Sequence, residues 1–162
     1  MAQDLYITWE AYHQSIVQLA QLIKDSNYEF DSILCLARGG LRVGDILCRI
    51  LQKPLAILST ASYRNDRQQG QLIIAEHITH TAPLGDRLLV VDDMVDSGKT
   101  LQAVLQWLVE HPIYPVQTSK TAVIWYKAHS LVAPDFYIHF LPDNPWIHQP
   151  FEVYDLMAVG TK

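Results

Sequence analysis

The reading of this chain turns on Val90-Val91-Asp92-Asp93-Met94-Val95-Asp96-Ser97-Gly98-Lys99-Thr100. Arg87 to Val91 is a short β-rich run, and Leu101, Val104, Leu105 and Leu108 continue beyond it at helical spacing until Pro112 stops the pattern. The stretch is therefore a strand–loop–helix junction. Ser97, Gly98, Lys99 and Thr100 sit where the first N–H groups of a helix lack intrahelical partners. A glycine lets the backbone curl there and hydroxyls add donors, so a phosphate fits. Asp92, Asp93 and Asp96 lie just upstream. Carboxylates beside a phosphate site point to sugar hydroxyls that donate to them, or to a divalent cation. A nucleotide-binding Walker A loop is excluded, because it needs glycine five positions before Gly98 and Asp93 stands there.

A second junction lies upstream. Ser32 to Ala37 reads as a buried strand and runs into Arg38-Gly39-Gly40, after which Val43, Ile46, Leu47, Ile50 and Leu51 form a helical stripe. Thr8 can cap a helix over residues 9–24, with Ile16, Leu19, Ala20 and Ile23 on one face. Further strands are read at Leu55 to Ser59, Thr121 to Tyr126 and Phe136 to Phe140. This alternation predicts an α/β fold, a mainly parallel twisted sheet with flanking helices. Ligands of such sheets bind outside the carboxyl ends of the strands, so neighbouring tips would put both loops around one ligand. Residues 62–71 form a polar excursion, followed by the short apolar strip Leu72 to Ala75, and read as a lid or a mobile hairpin.

Composition limits the remaining choices. The 162 residues are 49% apolar, enough for one domain with a real core, and carry a net charge of −5 from 12 basic and 17 acidic side chains. That surface is poorly suited to gripping nucleic-acid backbones, and its basic residues are scattered. No stretch is long and apolar enough for a membrane span, and a start with Asp4 and Glu10 does not read as a signal peptide. Cys35 and Cys48 lie in apolar runs and read as buried small hydrophobes in a reducing, cytoplasmic setting. His77 and His80 lack the further ligands that a zinc site needs.

The 90–100 stretch resembles the phosphoribosyl-diphosphate (PRPP) signature of the type I phosphoribosyltransferases: a strand, two acids, two apolar residues, then Asp-Ser/Thr-Gly-x-Thr. Leu36-Ala37-Arg38-Gly39-Gly40 resembles that family's pyrophosphate loop, and Thr60-Ala61-Ser62-Tyr63 the start of its flexible loop. Tyr6-Ile7-Thr8-Trp9 and Trp146-Ile147-His148-Gln149-Pro150-Phe151 resemble the ends of the purine-salvage members, among them the bacterial xanthine-guanine enzymes.

The resemblance implies one domain over 1–162, with a flexible loop at about 62–80 and a base-binding hood at about 128–162. It implies transfer of the phosphoribosyl group from PRPP to xanthine, guanine or hypoxanthine, with Mg²⁺ as cofactor and release of pyrophosphate. Asp92 and Asp93 would hold the ribose hydroxyls and place Mg²⁺, with Asp93 as the metal ligand. As neighbours at a strand end they should point to opposite sides and do different work. Asp96 would be the general base, its plain alternative being a helix cap. Ser97, Gly98, Lys99 and Thr100 would wrap the 5′-phosphate, with the Lys99 side chain either on the phosphate or in solvent. Arg38 and Gly39 would hold pyrophosphate, next to a cis peptide at Ala37–Arg38.

Lys127 would donate to the 6-oxo group of the base, although Ala128 stands where relatives carry proline. Trp146 would stack on the base and the Ile147 carbonyl would accept from a 2-amino group. The plain alternatives are a surface lysine and a core tryptophan. Arg64 and Arg67 could reach the phosphates. A homo-oligomer, dimer or tetramer, is expected. The competing reading is a regulator on the same fold that senses PRPP or a nucleotide and binds nucleic acid. The absence of a basic cluster, and the presence of Asp96, Lys127 and Trp146, weigh against it.

Overall fold

Parallel strands dominate the molecule. The structure, a computed structural model, describes residues 3–62 and 71–157. Its main sheet contains β2 (Ser32–Ala37), β3 (Leu55–Ser62), β4 (Leu72–Ile74), β5 (Arg87–Val91), β6 (Met94–Val95), β7 (Thr118–Lys127) and β8 (Phe136–Leu141). The order runs β4-β3-β2-β5-β7-β6, with β8 also on β7. All pairings are parallel except β3–β4. A separate two-stranded sheet joins β1 (Leu5–Tyr6) to β9 (Ile147–His148), tying the start of the chain to its C-terminal segment.

Both faces of the sheet are covered, as the near-continuous apolar strands demand. Successive residues of β2 alternate between two cores. Ile33 packs with Leu89, Val91 and Ile124 under the helices α1 (Trp9–Asp25) and α2 (Gly40–Leu51). Leu34 and Leu36 pack with Leu88, Val90 and Val123 under α3 (Lys99–Glu110). Truncating a side chain such as Leu34 to alanine would cost about 2–5 kcal/mol. Helix α1 starts as expected, with the Ala11 N–H donating to Thr8 Oγ1 at 3.1 Å. Helix α3 ends at Glu110, and the extended His111 that follows is the conformation a residue before proline favours.

The polar excursion is a hairpin in its described part. β3 runs on to Ser62, further than the expected Ser59, and β4 returns antiparallel with Thr60 opposite Ile74. Residues 63–70 lie outside the described residues, and Tyr63, Arg64 and Arg67 with them. The short strands β1, β6 and β9 were beyond the sequence reading, since two residues carry no periodicity. β7 begins at Thr118, earlier than expected. Cys35 is buried and free, whereas Cys48 is only half-buried, a partial departure from the expected burial of both. Burial in the apolar core pushes the Cys35 thiol up to about 12, so it stays a neutral hydrophobe. Among the described residues no helix is long and apolar enough to cross a membrane.

Candidate active site

The topology sets β2 and β5 side by side with Cys35 opposite Val91, so their carboxyl ends deliver Arg38-Gly39 and Asp92-Asp93 to one edge. The approach is close. The Ala37–Arg38 peptide is cis, as the resemblance implied. A β-carbon on Gly39 would lie 2.6 Å from Asp93 Oδ1 and 2.9 Å from Asp92 Oδ1, so only glycine lets the two loops meet. Arg38 is exposed beside them, and it lines a groove of about 610 Å³ with Gly39, Leu41, Arg42, Phe151 and Tyr154. The Arg42 guanidinium lies 4.0 Å over the Phe151 ring.

Both acids have one oxygen near Gly39, so the expectation that they point to opposite sides does not hold. Strand β5 ends at Val91, and the pleat that would alternate them ends with it. Their surroundings nevertheless differ. Asp92 Oδ1 accepts from the Asp93 N–H at 2.9 Å, and Asp92 borders the cavity of the following loop. Asp93 Oδ1 accepts from the Met94 N–H, and its Oδ2 accepts from Gln149 Nε2 at 2.6 Å. Among the described residues no cation lies within ion-pair distance of either acid. Burial, and then the Asp93 carboxylate beside it, holds the Asp92 carboxyl well above the usual carboxylate range.

The loop after β6 wraps a small cavity of about 110 Å³, lined by Asp92, Met94, Val95, Asp96, Ser97, Gly98, Thr100 and Leu101. Gly98 takes φ +79°, the left-handed turn that starts α3, and no side chain caps that helix. The Lys99 N–H donates to Ser97 Oγ at a long 3.4 Å, and the other first-turn N–H groups have no intrahelical partner to take. Asp96 is not the cap. Its Oδ1 lies 2.9 Å from His129 Nε2 and 3.5 Å from Lys127 Nζ. Lys127 is almost fully buried at the end of β7, so the surface-lysine alternative falls away, whereas Lys99 is exposed.

Trp146 and Ile147 stand apart from that cavity. Trp146 is 51% exposed, not a core tryptophan, and faces a groove of about 790 Å³ with Tyr6, His148 and Phe151. The β1 strand takes the carbonyls of Trp146 (from Leu5 N–H, 2.8 Å) and His148 (from Ile7 N–H, 3.0 Å). Alternation then turns the Ile147 carbonyl to the other edge. Three residues near the site were missed by sequence reading. Gln149 lay inside the quoted 146–151 motif without a role. Tyr12 was hidden as one more apolar position of α1. His129 carried no signal. Tyr12 is fully buried with an unpartnered hydroxyl, and Gln149 Oε1 is likewise unpartnered. Burial raises the Tyr12 phenol, and Asp93 raises it further. Among the described residues no three His, Cys, Asp or Glu side chains cluster so as to hold a metal ion.

Adjacent parallel tips carrying an arginine loop, an acid pair and a hydroxyl-and-glycine turn define an α/β protein built to handle a sugar phosphate. A phosphoribosyl transferase domain model matches residues 7–156. The chain belongs to that family, and its fold is the type I phosphoribosyltransferase fold. It is 25% identical over 153 residues to a xanthine-guanine phosphoribosyltransferase of Idiomarina loihiensis, covering 94% of this chain and 89% of that one. A purine phosphoribosyltransferase structure from Pyrococcus horikoshii superposes with a TM-score of 0.72 at 28% identity, over 93% and 94% of the two chains. The Helicobacter pylori xanthine-guanine-hypoxanthine phosphoribosyltransferase gives a TM-score of 0.77 at 24% identity, over 99% and 100%. The likeness runs to the purine-salvage branch of the family.

Proposed function

We propose that this phosphoribosyltransferase moves the 5-phosphoribosyl group of PRPP to a 6-oxopurine, xanthine, guanine or hypoxanthine, and releases pyrophosphate. The observation that carries this reading is the pairing of Asp96 with a buried Lys127 at 3.5 Å, beside the cavity of the 96–100 loop. A carboxylate and an ammonium so placed suit the two ends of one purine edge. Lys127 donates to the 6-oxo oxygen, which adenine lacks, and Asp96 takes the N7 proton as N9 bonds to carbon 1 of the ribose. The bond from carbon 1 to the pyrophosphate oxygen breaks with its electron pair leaving on that oxygen, and the ribose passes through an oxocarbenium-like state.

Ser97, Gly98, Lys99 and Thr100 hold the 5′-phosphate through the backbone N–H groups and hydroxyls at the start of α3. Arg38 and the Gly39 backbone hold the departing pyrophosphate, the guanidinium fork pairing with its oxygens. Asp92 and Asp93 accept from the ribose hydroxyls. The free Ile147 carbonyl reads a 2-amino group, and Trp146 supplies the stacking face, its exposure matching a surface that waits for a ring.

The acid pair also fits Mg²⁺. Two carboxylates with no cation within ion-pair distance, and the oxygens of Tyr12 and Gln149 without a hydrogen-bond partner, all among the described residues, make a hard oxygen donor set that a hydrated divalent ion would complete with water and substrate. Asp93 and Asp92 would hold it, and there it supplies positive charge to a polyphosphate leaving group. As part of the same reading, the chain works as a homo-oligomer in a reducing, cytoplasmic setting, where two free thiols are at home.

The test is an acceptor screen with PRPP and Mg²⁺, following pyrophosphate release with each nucleobase. Release with one or more 6-oxopurines and little with adenine is expected. Release with adenine or a pyrimidine alone would overturn the substrate assignment.

A further inference from the structure

One side chain at the heart of this site has no part in the reading above. His129 lies two residues beyond the end of β7 and brings Nε2 to 2.9 Å from Asp96 Oδ1, the same oxygen that Lys127 Nζ approaches at 3.5 Å. The turn that carries it is pinned to the phosphate loop. The Ser130 N–H donates to the Lys127 carbonyl at 3.1 Å, the Leu131 N–H donates to the Ser97 carbonyl at 3.0 Å, and the Ser130 hydroxyl donates to the Val132 carbonyl at 2.8 Å. The contact is thus built by the backbone of two loops.

The Lys127 ammonium has three N–H donors and can face both Asp96 and the 6-oxo oxygen of an acceptor. His129 is the nearer of the two, at 2.9 Å against 3.5 Å for Lys127, and both are ion-pair contacts whose donor directions are not those of a formed hydrogen bond. The Asp96 side chain is 42% exposed, so packing alone does not hold it, and its charged neighbours are left to orient it. Lys127 and His129 are the cationic or titratable groups within ion-pair distance of that carboxylate among the described residues. We propose that His129 is a positioning residue for Asp96. A small turn of the ring at this 2.9 Å contact lets Nε2–H donate to Oδ1 and keep Oδ2 turned to the base, while Lys127 turns an N–H to the acceptor. This inference rests on the 6-oxopurine reading and adds to it the residue that orients the general base.

Two measurements on the full chain test it. In steady-state kinetics with PRPP, Mg²⁺ and the best 6-oxopurine, His129→Ala should lose kcat on the order of 10–100-fold, the scale of a misplaced reacting group, with the KM for PRPP unchanged. His129→Gln, whose amide N–H reaches the same oxygen, should recover most of the loss. An alanine variant with full kcat, a raised KM for PRPP in its place, or a glutamine variant no better than alanine would overturn the proposal. The second measurement needs no turnover. In nitrogen-resolved NMR of the imidazole ring at pH 8, the Nε2–H tautomer should dominate and Asp96→Ala, which removes the acceptor, should perturb it. An Nδ1–H ring, or a spectrum indifferent to Asp96, refutes the contact. If no purine releases pyrophosphate with wild-type protein, the substrate reading falls while the ring spectrum still decides whether His129 holds Asp96.

Discussion

Replacing Gly98 by alanine tests whether the phosphate loop and the turn after β7 are one unit. The residue sits at φ +79°, where an L side chain is disfavoured by roughly 1–2 kcal/mol. Its β-carbon would lie 2.4 Å from Ser130 Oγ, 3.0 Å from the Val132 nitrogen and 3.1 Å from the Leu131 nitrogen. Ser130 can swing away, but it then gives up its 2.8 Å bond to the Val132 carbonyl, worth about 1 kcal/mol. The backbone of 131–132 must retreat as well, straining the Leu131 bond to Ser97 for about another 1 kcal/mol. A more restricted unfolded chain returns about 0.4–1 kcal/mol. The net is a destabilisation of about 2–4 kcal/mol, or about 4–16 °C in Tm for a chain of this size. Thermal melts by circular dichroism read it directly. The loop shift should also raise the KM for PRPP. A Gly98→Ala protein that melts within 2 °C of wild type and keeps its KM would refute the loop-on-loop argument.

Three other changes probe separate parts of the site. Asp96→Asn keeps an oxygen for His129 but removes the proton acceptor, so turnover with guanine, hypoxanthine and xanthine should fall about 10²–10⁴-fold; near-normal rates would remove Asp96 from that role. Lys127→Met should lower kcat/KM for hypoxanthine about 10–100-fold, the scale of one hydrogen bond from a charged group, and an unchanged value would refute 6-oxo recognition. Asp92 predicts a pH effect. Its folded-state value is raised, so the folded protein holds that proton more tightly than the unfolded chain, and stability falls as pH rises through the window between the two values. Asn keeps the acceptor for the Asp93 N–H, so Asp92→Asn should flatten the dependence and melt higher than wild type at pH 7–8 while losing activity. Parallel Tm–pH curves for the two proteins would refute it.

The mainly parallel sheet with its flanking helices and the meeting of the β2 and β5 tips were legible because each rests on a strong local signal. Apolar runs ended in Arg-Gly-Gly or in Asp-Asp, and the helical stripes followed at once. What sequence could not supply was the outcome of contacts across distant loops. Gln149 reaches Asp93 over 56 positions, and no periodicity marks a lone amide in a C-terminal segment. His129 was invisible for the same reason, since its value lies in the Leu131–Ser97 bond that docks one turn on another. The alternation of Asp92 and Asp93 failed because it assumed a strand one or two residues longer than β5 is. A pleat argument is only as good as the strand end it starts from, and ends are set by tertiary pairing.

The acid pair explains why such a site belongs at a strand tip. Asp92 and Asp93 sit beside the Gly39 backbone with no cation among the described residues within ion-pair distance, and burial, then the Asp93 carboxylate, holds the Asp92 carboxyl above its ordinary range. A surface loop would relax and let water in. Here β2, β5 and β7 are locked in parallel register behind the tips, and Gln149 ties the Asp93 carboxylate to the β1–β9 sheet. The scaffold thus keeps two adjacent carboxylates in place, and in the proposed reading donors arrive with the substrate. Binding should therefore stabilise the fold more than contact area alone would suggest. PRPP added with Mg²⁺ should raise Tm more in wild type than in Asp92→Asn, where less of the repulsion is left to relieve. Equal shifts in the two proteins would show that the pair is not the strained element of the free site.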